Sequence, residues 1–179
     1  MDEIKIFPNK ILRKVVTEIK SIDGDLKERI DRLKKYLTNC SNAAGLAAPQ
    51  MGWNDNFFGI KGEKGKVDIY INPKIVQTWG EKQFLKLIST DNNQEEDFLE
   101  GCLSFPNIFG TVKRFYKIEV EWLDGKKIME GFEAIVFQHE LDHLNGILLI
   151  DRIKESQGRV YRIKGEKKEE IELQSLEER

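Results

Sequence analysis

The amino-acid sequence predicts an α+β fold in which antiparallel β-sheets pack around a central helix carrying a His-Glu-x-x-His motif. Two observations predict it. Both histidines of the chain, His139 and His143, stand four residues apart, and Phe132, Ile135 and Val136 lie seven, four and three positions before His139 on the same helical stripe. Strand-like runs come in pairs joined by turn-rich segments: 57–60 with 67–71 through KGEKGK, and the alternating 111–122 with KKIMEGF through Asp124-Gly125.

Taken in order, the opening IKIFPNKILRKVV holds Pro8 among short apolar runs and reads as an extended arm leading into a turn. From Asp25 onward Leu26, Ile30, Leu33 and Leu37 recur at steps of four, three and four, an amphipathic scaffold helix ending near Cys40. The run Ala43 to Gln50 is neither helix-periodic nor alternating. Its small residues allow a backbone or a ligand to approach closely and Gln50 adds a neutral amide, although a tight turn is the default expectation. Asn72-Pro73 ends the second strand. Residues 83–99, including STDNNQEED, have the composition of an exposed loop that delivers the chain to Glu100-Gly101-Cys102-Leu103-Ser104-Phe105-Pro106. In the strand that follows, Val112, Phe115 or Tyr116, Ile118, Val120 and Trp122 can share a face. Gly131 precedes the histidine helix and Asn145-Gly146 follows it, the latter suited to a left-handed cap. Beyond Asp151 lysine and glutamate dominate, and 166–179 reads as a marginal surface helix or a frayed tail.

At 179 residues the chain is long enough to bury a core without disulfides. A net charge of −2 with both signs interspersed gives no polyanion-binding signature and no basis for sequence-specific nucleic-acid recognition. No apolar run approaches the ~20 residues needed to span a bilayer, and the first residues lack a signal-peptide or transit pattern, so a soluble protein without a membrane partner is expected. The two cysteines, Cys40 and Cys102, make no disulfide framework and fit a reducing compartment. Cys40 is expected to be a buried small residue.

On a helix the four-residue spacing puts both imidazoles on one face with Glu140 beside the space a metal would occupy, a pattern for hydrolysis by metal-activated water. The apolar stripe that accompanies them also suits plain core, and the two readings are compatible. Two helix histidines are half of a tetrahedral site. The frame His-Glu-x-x-His-x-x-Gly-x-x-His continues through Gly146 and then meets Leu149, so no third histidine is available. Glu155, Glu166 and Glu169 lie in the most solvated part of the chain. Cys102 is the better third ligand, because a thiolate beside a metal ion is deprotonated and a Cys-His-His set leaves a fourth position for water.

Three blocks, Gly45-Leu46-Ala47-Ala48-Pro49-Gln50, Glu100-Gly101-Cys102-Leu103-Ser104 and Gln138-His139-Glu140-Leu141-Asp142-His143, stand in the order in which they occur in the peptide deformylases, and the sequence resembles that family. The likeness runs from the Pro8 to Arg13 region to about Asp151, which implies a catalytic domain over 1–153 and a charged C-terminal tail or surface helix over 154–179. By position, the resemblance implies metal ligation by Cys102, His139 and His143, Glu140 as general base and acid, and an oxyanion hole from the Gln50 amide and the Leu103 backbone N–H. It places a methionine pocket around Gly101, Leu103, Phe132, Ile135 and Val136, gives Gly45 main-chain contacts to substrate, and pairs Glu100 with Arg114 to brace the cysteine loop.

The implied cofactor is one divalent ion, Fe2+ first, with zinc, nickel or cobalt able to occupy the same ligands. The implied reaction removes the formyl group from N-formylmethionyl peptides and releases formate. Such a substrate belongs to bacterial-type translation and hence to the cytoplasm, and contact of the tail with the ribosome stays open. Two departures stand out: Ala43 replaces the family's usual glycine, and 83–97 is longer than the usual link, so it could shape the entrance. Against this reading stand a metallopeptidase on another fold and a non-catalytic or structural zinc protein.

Overall fold

The Asp23 carboxylate accepts a hydrogen bond from the Leu26 N–H at 2.8 Å and so starts α1 (Gly24–Asn39), whose Leu26, Leu33 and Leu37 face is buried. The computed structural model describes residues 3–62, 65–88 and 95–177. Before α1 the arm turns at Asn9 into a 3-10 helix, Lys10–Arg13. After it come β1 (Gly45–Ala47), a second 3-10 helix (Ala48–Met51), β2 (Phe57–Lys61), β3 (Val67–Ile71), β4 (Lys74–Trp79), β5 (Gln83–Phe84), β6 (Lys86–Ile88) and β7 (Glu95–Asp97). Then follow β8 (Glu100–Cys102), β9 (Phe105–Gly110), β10 (Lys113–Arg114), β11 (Lys117–Trp122), β12 (Gly125–Glu130) and α2 (Gly131–Leu144). The chain closes with α3 (Leu149–Ser156), β13 (Val160–Lys164), β14 (Lys167–Ile171) and α4 (Gln174–Glu177).

Every pairing between these named strands is antiparallel, in sheets ordered β1-β2-β3, β12-β11-β4 and β14-β13-β9-β8, with two-stranded ribbons β5-β10 and β6-β7, and an isolated parallel bridge joins Thr17 to Asp55. This is the expected α+β arrangement. Helix α2 packs on β1 and β2 on one side and on β11 and β12 on the other. Fully buried Phe137 meets Phe58 edge-on at 5.0 Å between ring centroids, and Tyr70 joins them at 5.4 Å from Phe137. Truncating a buried ring of this kind costs about 3–5 kcal/mol, so the aromatic cluster fixes the helix that bears the histidines. Gly146, at φ 68°, supplies the left-handed turn after α2.

Four expectations need correction. The stretch 83–99 is not simply an exposed loop: β6 and β7 pair Lys86 with Asp97 and Leu87 with Glu96, because cross-strand partners hide in a polar composition. Residues 89–94 of that stretch lie outside the described residues. The strand expected over 111–122 is broken, with β10 turning aside to pair with β5; Phe115 joins the core and Tyr116 is exposed. The charged C-terminal stretch is mainly a hairpin, with only Gln174–Glu177 helical. Strand β13 buries Val160 and Tyr161 and extends the β8-β9 sheet, while Arg162 faces Glu169 across the ladder, so the charge alternation is that of a solvated strand face. Cys40 is half-buried, with Sγ 3.0 Å from Asn42 Oδ1. Among the described residues no helix is long and apolar enough to cross a membrane.

Candidate metal centre

The end of β8 carries Cys102 to the face of α2 that bears the histidines. Its Sγ lies 3.2 Å from His143 Nε2, and one donor atom from each of Cys102, His139 and His143 falls within 4.8 Å of the others. A thiolate with two imidazole nitrogens suits a borderline-soft divalent ion such as iron or zinc. His139 Nδ1 is 2.9 Å from Glu100 Oε2. That contact fixes Nδ1–H as the donor and leaves Nε2 free for a metal. Sequence reasoning nominated these three residues through helix spacing and by elimination of other donors, and the structure brings them together.

Among the described residues, two buried side-chain polar atoms lack a hydrogen-bond partner, Glu140 Oε2 and His143 Nδ1, and both belong to this site. Buried polar groups are normally paired, so an orphan carboxylate oxygen beside a three-donor cluster signals a missing ligand or solvent. Gly45 explains how Glu140 reaches this position: a Cβ at residue 45 would sit 2.4 Å from Glu140 Oε1, so only glycine lets β1 pass so close. The small-residue run is therefore a close-approach strand leading into a 3-10 helix, not merely a turn. Ala43 is buried in the core beneath α1.

Burial pushes the Glu140 pKa up to about 7, against the pull of His139. Burial would also raise Glu100, but Arg114 outweighs it and holds that carboxyl at about 2. Arg114 donates from Nε and Nη2 to both Glu100 oxygens at 2.8 and 2.9 Å, and from Nη1 to Asp142 Oδ2 at 2.5 Å. The expected Glu100–Arg114 pair is thus buried and bidentate. Asp142 also receives Arg152, at 2.9 Å from Nε, so helix α3 is tied into the same chain of charges. Burial works against charge on His139, but Cys102 and Glu100 push its pKa well above the ordinary imidazole value; burial and the neighbouring His139 push that of His143 well below.

Gln50 is buried at the end of the small-residue run. Its Oε1 accepts from the Ala47 N–H at 2.9 Å, which turns Nε2 toward Ser104 Oγ at 3.3 Å and Cys102 Sγ at 3.6 Å. A cleft of about 460 Å³ opens in front of these groups, and Gly45, Gln50, Cys102, His139 and Glu140 line it. So do Gly101, Leu103, Phe132, Ile135 and Val136. Ile135 and Val136 are buried in its wall, whereas Phe132 is 53% exposed at the mouth. His143 lies behind the cleft wall, 1% exposed.

Three groups escaped sequence reasoning. Gln138 clamps α2 to the strand break, accepting from the Phe115 N–H at 3.1 Å and donating to Phe115 O at 2.8 Å. Asp142 sat inside a recognised block without a role, and Phe98, which lines the cleft, fell in a stretch read as loop. Gln138 and Asp142 offered a signal through their places beside His139 and His143 in that block, and Phe98 offered none.

An antiparallel α+β scaffold gathers a thiol, two imidazoles and an orphan carboxylate beside one cleft, a donor set that could hold a single metal ion, as in a class of hydrolases. The sequence profile described as Polypeptide deformylase matches residues 1–159. A peptide deformylase of Thermotoga petrophila is 36% identical over 158 residues, covering 86% of this chain and 87% of the relative. The crystal structure of the peptide deformylase from Thermotoga maritima superimposes with a TM-score of 0.72 at 35% identity, covering 85% of this chain and 97% of that one. A peptide deformylase from Legionella pneumophila gives a TM-score of 0.71 at 31% identity, covering 85% of each chain. The chain belongs to the polypeptide deformylase family of enzymes.

Proposed function

We propose that the chain is a metal-dependent amide hydrolase that removes the formyl group from the N-formylmethionyl end of nascent polypeptides and releases formate in the cytoplasm. The observation that carries this is the orphan Glu140 oxygen, buried in a cleft beside the three clustered donors. Cys102, His139 and His143 would hold the ion, Fe2+ by the family likeness, with zinc, nickel or cobalt as substitutes. When bound, such an ion supplies Lewis acidity, lowering the pKa of water at its open position.

The chain's own residues do the rest. Leu103, Ile135 and Val136 take the methionine side chain, with Gly101 beside them and Phe132 at the rim. The Gly45 main chain orients the peptide backbone. Glu140, pushed to about 7, is matched to taking the proton of the attacking water and passing it to the departing amine. Water oxygen bonds to the formyl carbon, the C–N bond breaks, formate leaves and the amine gains the proton. Charge developing on the formyl oxygen meets the Gln50 Nε2 and Leu103 N–H donors, each worth on the order of 3 kcal/mol of barrier.

The test is formate release from formyl-Met-Ala-Ser beside unblocked Met-Ala-Ser. Formate from the first with the second left intact is expected; cleavage of internal amides without formate would establish a metallopeptidase instead. Anaerobic purification with metal analysis checks the ion, and a zinc form as active as the iron form would count against iron.

A further inference from the structure

The buried pair of Glu100 and Arg114 does not end the row of charges behind the donor cluster. Arg114 Nη1 also donates to Oδ2 of Asp142, the residue before His143 on α2. Asp142 is met in turn by the fork of Arg152 from α3, with Nε donating to Oδ2 at 2.9 Å and Nη2 to Oδ1 at 2.5 Å. Farther out Arg152 pairs with Glu155, and Glu155 takes Lys82, just before β5, at 3.1 Å. Signs alternate from Lys82 inward to Glu100, and side-chain exposure falls from 52% at Glu155 to 22% at Arg152 and 5% at Glu100. The row thus runs from the surface to the partner of His139.

Charge balance shows what the outer guanidinium contributes. Two buried carboxylates, Glu100 and Asp142, face two guanidiniums, Arg114 and Arg152, and the set is neutral. Each carboxylate has its own bidentate partner, a strong form of ion pair, and Arg114 uses one further N–H to join them. Without Arg152, Asp142 becomes a buried carboxylate that competes with Glu100 for Arg114, because a buried charge left unpaired is costly. A guanidinium drawn to Asp142 gives up part of its grip on Glu100, whose Oε2 meets His139 Nδ1. We infer that Arg152 is a positioning residue: by occupying Asp142 it reserves Arg114 for Glu100, and so holds the His139 ring where Nε2 can meet a metal. This rests on the metal-dependent reading of the site and extends its support to a helix that carries none of the ligands.

The sign of the effect separates this role from a charge acting through space. Loss of a nearby cation would by itself tighten the binding of a positive ion, and loss of a carboxylate would weaken it. The experiment is a competition titration of Zn2+ between the metal-free full chain and a chromophoric chelator, paired with the absorption bands of the Co2+ form, which report ligand geometry. Arg152→Met is expected to bind Zn2+ about ten-fold more weakly and to shift the cobalt bands, an effect of the size usual for an outer partner of a ligating histidine. Adding Asp142→Asn removes the competitor, and should return affinity to within about three-fold of wild type and restore the bands. Both steps run opposite to the through-space effect. Unchanged or tighter binding by Arg152→Met overturns the inference, and so does a double variant that binds no better than the single one. Should Arg152→Met not fold, the neutral double variant decides alone: near wild-type affinity supports the role, and a loss of about ten-fold overturns it. A wild-type chain that takes up no Zn2+ would sink the metal-centre reading itself, a result distinct from uptake that Arg152→Met leaves untouched.

Discussion

Glu100 and Glu140 are glutamates buried at one site, and their surroundings drive them in opposite directions. Glu100 is met by both prongs of Arg114 and by His139, and stays ionised down to about pH 2; Glu140 has an oxygen with no partner at all and titrates near 7. Burial alone would raise both. The difference shows that a bidentate cation overrides burial at one carboxylate while an unpaired oxygen leaves burial to dominate at the other, so two glutamates of one site titrate far apart.

Variants can break that contrast in order of size. Removing the unpaired member should cost most: Glu140→Ala is expected to lower kcat by about 10²–10⁴ while metal content stays stoichiometric, read by formate release and metal analysis. Removing the cation that holds the paired member comes next. Arg114→Met leaves Glu100 and Asp142 without their shared guanidinium and should destabilise by about 3–5 kcal/mol in urea unfolding; a loss under 1 kcal/mol would mean that other groups neutralise those carboxylates. Glu100→Gln keeps the shape but weakens the support of His139, so metal affinity should fall by about 10–100-fold in a competition titration. A half-buried counterpart, whose cationic partners are exposed, sharpens the comparison. Asp97→Asn loosens its contacts with Lys86 and Arg159 near solvent and should change stability by less than about 1 kcal/mol.

What the sequence made legible was local. Histidine spacing, the stripe of Phe132, Ile135 and Val136, and the Asp124-Gly125 turn are properties of a few consecutive residues, and periodicity displays them. Cys102 became legible because an incomplete ligand set demanded a partner. Arg152 and Gln138 were not, since their significance arises only when α3 and the strand break are folded against α2. The β13–β14 hairpin stayed hidden because one face of it is solvated, and a ladder of alternating lysine and glutamate has the composition of a tail. Phe98 lay in a segment whose polarity suggested solvent, although its ring packs on the first turn of the histidine helix.

The close passage of β1 over α2 also limits how this centre can change. With residue 45 touching Glu140, no larger side chain can grow there without dislodging that carboxylate. A small molecule that seats itself on the main chain of that strand would therefore press against a surface unable to thicken in self-defence.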